Sequence, residues 1–250
     1  MPAPDPTIYL APHFPNFPNP VRSPAFKSSY EKCRVFILEW AAPWQTYEPE
    51  LELSFNMLSR GQVQWVRSRL ALRLGGDLPP FDRELQGVIR GSNRKIVLER
   101  TNAEYVYVPE ADIMNLATSK RLNDATTLFK TKLEELTRNI VSRDNDLVEI
   151  FREEGKKERR LFAFRGADHE TYLRSLLDQK SISAQWLTYE ERPLLRRLIC
   201  SLTMGEQVAD IDVQRVIYAM THRTSDDYLG FVSLQKQAES LSEQEITQAF

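Results

Sequence analysis

The stretch "RKIVLERTNAEYVYVP", residues 94–109, carries the clearest β signal in the chain. Residues 96–98 and 105–108 are runs rich in β-branched and aromatic side chains, which favour strands. Asn102 lies between the two runs and suits a turn. The stretch therefore predicts one β-hairpin over about residues 95–108.

Helical signals dominate the chain beyond this hairpin. After Pro109 there is one further proline, Pro193, and apolar residues recur at steps of three and four. A long amphipathic helix is predicted, with Arg143 interrupting its apolar seam. Ser242 and Glu245 have the spacing of a capping box and predict the start of a last short helix. The apolar positions of the long helix are Phe129, Leu133, Leu136, Ile140, Leu147 and Ile150.

The run "CRVFILEW", residues 33–40, fits two structures. Tyr30, Cys33, Ile37 and Trp40 recur at helical spacing, whereas the uninterrupted apolar run also fits a strand. We place it on a helix and keep the strand as the alternative.

The N-terminal segment is predicted to be extended, because eight of the fourteen prolines lie in the first 24 residues. Proline fixes φ and removes a backbone donor, so such a segment is a poor former of helix or sheet. The predicted fold class is mainly α, a helical body with one β-hairpin and an extended proline-rich N-terminal arm. The predicted divisions are the arm (1–27), a mixed helical lobe with the hairpin (28–109) and a helical lobe (110–250).

Composition excludes several classes of function. The formal net charge of −2 argues against a dedicated nucleic-acid binder, although a local basic patch remains compatible with it. Only nine glycines are present, without a GxGxxG or P-loop pattern, so no nucleotide cofactor is expected. Two cysteines and no signal-peptide pattern predict an intracellular, by default cytoplasmic, protein that is not secreted and has no membrane span.

The three histidines give no recognisable catalytic or metal motif. No two of them share a helical turn, which the usual histidine metal patterns require. Asp168, next to His169, is interpreted as a helix-capping residue rather than a catalytic partner. A carboxylate site would need convergence of distant residues that no spacing predicts. We therefore expect no catalytic residues, no metal and no cofactor.

Basic residues form three patches that are candidates for nucleic-acid binding. Arginine forks suit phosphate, and an aromatic ring can stack on a base. The alternative is that these side chains flank apolar helical stripes and pair with nearby acids. The candidates are Arg60, Trp65, Arg67, Arg69 and Arg73; Arg90, Arg94 and Lys95; and Lys156, Lys157, Arg159, Arg160 and Arg165.

The favoured function is a non-enzymatic structural or assembly protein. It would dock through its arm and its C-terminal helices on neighbouring copies or other subunits, as viral coat and nucleocapsid proteins do by analogy. The first alternative is a nucleic-acid-binding protein, for RNA or DNA, with a basic groove. The second alternative is an enzyme with a carboxylate-based site. Candidate docking residues are Tyr9, Leu10, Phe14, Phe17 and Phe250.

Overall fold

The computed structural model describes residues 5–11, 20–39, 49–62, 80–99, 106, 108–188, 192–224 and 228–250. Within them, five strands form one all-parallel sheet in the order β3-β2-β4-β1-β5. The strands are β1 (Thr7–Ala11), β2 (Val35–Leu38), β3 (Lys95–Leu98), β4 (Leu161–Gly166) and β5 (Gln185–Leu187).

Ten α-helices and two 3₁₀ turns, Pro20–Arg22 and Ala167–His169, connect and cover these strands in the described ranges. None of these helices is both long enough and apolar enough to cross a membrane. The helices are α1 (Pro24–Lys32), α2 (Pro49–Ser59), α3 (Pro80–Ile89), α4 (Glu110–Thr118), α5 (Leu122–Gly155), α6 (Glu170–Gln179), α7 (Leu194–Thr203), α8 (Asp210–His222), α9 (Tyr228–Glu239) and α10 (Glu243–Gln248).

The predicted fold class, a helical body with one hairpin, is wrong. Lys95–Leu98 is a strand, but it pairs in parallel with β2 rather than with the segment that follows it. Of that following segment, residues 100–105 and 107 lie outside the described residues. A strand buried on both faces shows an unbroken apolar run instead of alternation, so the run "VFIL" lacks the alternation that would distinguish it from a buried helix.

The predicted N-terminal arm is also corrected, because Thr7–Ala11 is β1 and lies between β4 and β5. This five-residue segment contains no proline, so every residue in it can donate to a neighbouring strand. The many prolines of residues 1–24 predict an extended arm, although residues 7–11 within it contain none. Phe14 and Phe17 fall within residues 12–19, which lie outside the described residues.

Apolar side chains on the two faces of the sheet belong to two separate cores. In β2, Phe36 and Leu38 join one core and Val35 and Ile37 join the other. The first core also holds buried residues of α1, α2 and α3, and the second holds those of α6 and the last turns of α5. The sheet is therefore the middle layer of three, as expected for parallel strands.

Helix α5 links this sandwich to a third, helical core. Its 34 residues span about 51 Å at 1.5 Å per residue, far more than one strand. Its last turns cover the sheet, whereas Phe129, Leu133 and Ile140 join a core with α4, α7, α8 and α9. The predicted long helix over residues 129–150 is confirmed, as is the capping box that starts α10.

Edge strand β3 is protected by side chains of α2. The Asn56 amide donates to the Ile96 carbonyl at 2.7 Å and accepts from the Ile96 N–H at 2.9 Å. Glu52 Oε2 accepts from the Leu98 N–H at 2.8 Å. Side chains thus satisfy outward-facing backbone groups of β3 that would otherwise be available to another strand.

Replacing Asn56 with alanine is expected to lower the free energy of unfolding by about 2–3 kcal/mol, because the Ile96 N–H and carbonyl both lose their partner. Urea unfolding followed by circular dichroism measures the change. Asn123→Ala, at an exposed position of α5, is the matched control and should change the free energy by less than about 0.5 kcal/mol. Equal losses in the two variants would contradict the role given to Asn56.

Candidate functional site: a buried charged cluster at the carboxyl edge of the sheet

Charged side chains gather where strands β2, β3 and β4 end, at the carboxyl edge of the sheet. Glu39 directly follows β2, Glu99 directly follows β3, and Arg165 is the penultimate residue of β4. The middle of α5 and the 3₁₀ turn after β4 supply the other members. This carboxyl-edge cluster consists of Glu39 (6% exposed), Glu99 (5%), Arg143 (7%), Asp144 (0%), Arg165 (1%) and His169 (2%).

Strands β2 and β4 are neighbours whose onward connections leave in opposite directions. From β2 the chain passes through α2 and α3, on one face, to β3, which is the outermost strand on one side of the sheet. From β4 it passes through α6, on the other face, to β5, which is the outermost strand on the other side of the sheet. In α/β proteins, ligands bind at the carboxyl ends of the strands beside such a topological switch point. The carboxyl-edge cluster lies at this point.

Glu99 is held by two arginines from different elements. Arg143 donates to both carboxylate oxygens through Nε and Nη2, at 3.1 and 2.8 Å, and Arg165 Nη1 donates to Oε2 at 2.6 Å. Burial opposes ionisation of Glu99, but the charges of Arg165 and Arg143 outweigh it, so the pKa of the carboxyl is lowered. Glu99 is therefore a carboxylate at neutral pH.

Glu39 connects β2 to the turn after β4. Its Oε2 accepts from the Gly166 N–H at 2.5 Å, and its Oε1 lies 2.6 Å from Arg143 Nη2. The same Oε1 lies 3.3 Å from Nε2 of His169. One oxygen of this carboxylate, Oε1, therefore faces both the Arg143 guanidinium and the His169 ring.

His169 lies between two carboxylates. Its Nδ1 is 2.7 Å from Asp144 Oδ1, and its Nε2 faces Glu39. Burial alone would lower the pKa of the imidazole, but Asp144 and Glu39 reverse that effect and raise the pKa to about 9. At neutral pH the ring is an imidazolium, and both of its nitrogens are donors.

With His169 protonated, three cations balance three carboxylates in the carboxyl-edge cluster. Asp144 Oδ2 and Arg165 Nε nevertheless take part in no hydrogen bond within the described part of the chain, and Glu39 Oε1 has charged neighbours, Arg143 and His169, without a hydrogen bond of good geometry to either. Asp144 Oδ2 and Arg165 Nε are both buried. A buried polar atom without a partner is costly, so one acceptor and one donor remain for water or a bound polar group.

This arrangement has the components of acid–base chemistry. A base or acid oriented by a third group is the recurrent logic of catalytic triads, and here Asp144 orients His169. Arg143 and Arg165 hold fixed positive charge where little water can screen it. Among the described residues, no group of three or more His, Cys, Asp and Glu side chains has a geometry that could hold a metal ion.

Those predicted basic residues that the structure describes lie where the strands begin, at the opposite end of the sheet from the carboxyl-edge cluster, with one exception. Arg165 lies in the carboxyl-edge cluster, away from the other members of its patch. Trp65, Arg67, Arg69 and Arg73 lie outside the described residues. The residues near the starts of the strands are Arg60, Arg90, Arg94, Lys95, Lys156, Lys157, Arg159 and Arg160.

Three of the predicted docking residues are described, and all have partners within the chain. Leu10 is buried in the core beneath α6. Tyr9 stacks on Phe164, with 6.1 Å between ring centroids. Phe250 packs edge-on against Tyr218 at 6.4 Å. Residues that bury contact area internally are less available to a partner.

Sequence reasoning missed five of the six cluster residues as a site. One signal was present: "FILE" and "IVLE" each place a glutamate directly after an apolar strand run. Arg143, which interrupts the apolar seam of α5, was a second. Asp144 and His169 gave none, because their partners come from other elements.

Comparisons with protein-family models, with curated proteins and with solved structures find no match to this chain.

His169 predicts a pH dependence of stability. Its folded pKa of about 9 lies above the ordinary 6.5, so its stabilising effect is complete below pH 6.5 and is lost as the pH rises through 9. The shift corresponds to about 3 kcal/mol. Urea unfolding of wild type and His169→Gln at pH 6, 7.5 and 9 measures the effect. The free energy of unfolding of wild type minus that of the variant should fall by about 3 kcal/mol between pH 6 and pH 9. A difference independent of pH would contradict the protonated ring.

Proposed function

We propose that the chain is an enzyme whose active site is the carboxyl-edge cluster and whose reaction is a hydrolysis by general acid–base catalysis. The observation that carries this proposal is the sequence of contacts Asp144–His169–Glu39, at 2.7 and 3.3 Å, at the topological switch point of a parallel sheet.

Each member of this series has a role that its surroundings support. Glu39 accepts a proton from the attacking water, and protonated His169 gives a proton to the leaving group. Asp144 orients the imidazole through Nδ1. The proton on Glu39 then passes to His169 Nε2, 3.3 Å away, which restores both groups. Arg143 and Arg165 stabilise negative charge that develops on the substrate.

Burying the six charged side chains of the carboxyl-edge cluster costs free energy that apolar packing would not. This cost supports a function for the cluster beyond packing. Burying a charge is expensive, and well-packed apolar residues of similar volume often give equal or greater stability than a buried ion-pair network. Strongly shifted pKa values that arise from burial and specific charged partners are typical of functional sites. The raised pKa of His169 and the lowered pKa of Glu99 both have such causes.

The assembly role predicted from the sequence stays a prediction. Its main support was a segment unable to form secondary structure, and Thr7–Ala11 of that segment is a central strand. Tyr9 and Leu10 contact the chain's own core. These observations favour the enzyme over the docking arm.

The proposal is tested with chromogenic esters, amides, phosphate esters and glycosides between pH 6 and 10. One class should be hydrolysed, and Glu39→Gln and His169→Gln should each lower kcat/KM by about 100-fold or more. The rate should also fall above about pH 9, where His169 loses its proton.

The matched control is Glu110→Gln, which removes a partly exposed carboxylate paired with Arg223 and should leave kcat/KM unchanged. Circular dichroism shows whether each variant is folded. Hydrolysis that survives both Glu39→Gln and His169→Gln, or no hydrolysis of any class by the wild-type chain, would overturn the proposal.

A further inference from the structure

The edge of the sheet opposite the carboxyl-edge cluster is strongly basic. Strands β2, β3 and β4 all begin there, and each is entered through cationic residues. The Arg34 N–H donates to the Arg160 carbonyl at 2.9 Å, and the Lys95 N–H donates to the Arg34 carbonyl at 3.0 Å. Backbone hydrogen bonds therefore fix three cationic residues side by side, at the spacing of about 4.8 Å between neighbouring strands.

Ends of helices add further cations at this edge. In a parallel sheet, a crossover helix runs back against the strands and ends where the next strand begins. Arg60 follows α2, Arg90 follows α3, and Lys156 and Lys157 follow α5. Two of the predicted patches, residues 90–95 and 156–160, are thus brought together, with Arg60 from the other patch at the same edge.

Some cations at this edge are already engaged in holding the fold. Lys95 pairs with Glu154 at 2.6 Å, and Arg160 pairs with Glu158 at 3.2 Å. Arg94 donates to three backbone carbonyls, those of Tyr30, Ser92 and Glu31. These three residues hold the fold together and are not among the proposed ligands.

Six of the other cations at this edge are exposed and form no ion pair with the described residues. Pairing with nearby acids was the alternative explanation for the basic patches, and among the described residues at this edge it accounts for Lys95 and Arg160. We define these six as the amino-edge surface: Arg34, Arg60, Arg90, Lys156, Lys157 and Arg159.

A groove of about 640 Å³ opens beside this surface, and its lining residues are Glu52, Leu53, Asn56, Arg60, Asn93, Arg94 and Lys95. Its volume lies within the range of about 300–1,000 Å³ usual for ligand sites. Its three cationic side chains outnumber its one carboxylate, so the net charge of the lining suits an anionic ligand.

We propose that the amino-edge surface binds single-stranded nucleic acid through its phosphate backbone. Four of the six cations are arginines, whose planar forks match phosphate oxygens. Leu53 is the one large apolar residue exposed at this edge among the described residues, whereas binding in a membrane interface needs an apolar face. Contacts confined to phosphates predict little sequence preference.

The test is fluorescence anisotropy with labelled 20-nucleotide oligo(dT) and oligo(U) at 50, 100 and 200 mM KCl. Wild-type chain should bind with a dissociation constant of about 10⁻⁴–10⁻⁶ M at physiological salt, weakening as salt rises. The variant Arg34→Gln, Arg60→Gln, Arg90→Gln, Arg159→Gln should bind at least tenfold more weakly. Its slope of log K against log salt should be smaller by about 3, because each phosphate contact contributes about 0.7.

The matched control removes four exposed cations from the helical core region: Lys120→Gln, Arg121→Gln, Arg138→Gln, Arg197→Gln. It carries the same net charge as the test variant and should bind within about twofold of wild type. An equal loss in both variants, or no wild-type binding at 50 mM KCl up to about 100 µM chain, overturns the proposal. Binding to phosphatidylserine vesicles but not to either oligonucleotide overturns it in favour of a lipid surface.

Discussion

The parallel direction of the five strands is the constraint on which the rest of the structure depends. Because every strand runs the same way, all carboxyl ends meet at one edge and all amino ends at the other. Glu39, Glu99 and Arg165 are brought together by this rule alone, although they are far apart in the chain. The same rule gathers Arg34, Lys95 and Arg160 at the opposite edge. Two chemically different edges follow from one topology.

Long helix α5 makes the carboxyl edge a buried place rather than an open one. From Asp144 to its last residue, Gly155, the helix rises about 17 Å, close to the length of a five-residue strand. Its C-terminal turns therefore cover the sheet, while its first half continues past the carboxyl edge into the helical core. Arg143 and Asp144 sit at the crossing point. Burial there strengthens each electrostatic contact and explains why the pKa of His169 responds to Asp144 and Glu39.

Local signals in the sequence were sufficient for several elements and insufficient for their arrangement. The strand at Lys95–Leu98, the length of α5 and the capping box at Ser242 could be predicted because each depends on neighbouring residues. Strand pairing could not, since the partner of β3 is β2 rather than the next segment. The carboxyl-edge cluster was hidden for the same reason: Glu39 and Gly166, which share a hydrogen bond, are 127 positions apart. The readable clues were the repeated glutamate after an apolar run, at Glu39 and Glu99, and Arg143 in the apolar seam of α5.

The central claim is that His169 is a buried imidazolium held between Asp144 and Glu39. The most direct measurement is a ¹⁵N NMR titration of its ring nitrogens in the full chain between pH 5 and 10. The account predicts that both nitrogens carry a proton at pH 7 and that the ring titrates with a pKa of about 9. A ring that is already neutral at pH 7, with a pKa at or below the ordinary 6.5, would contradict it.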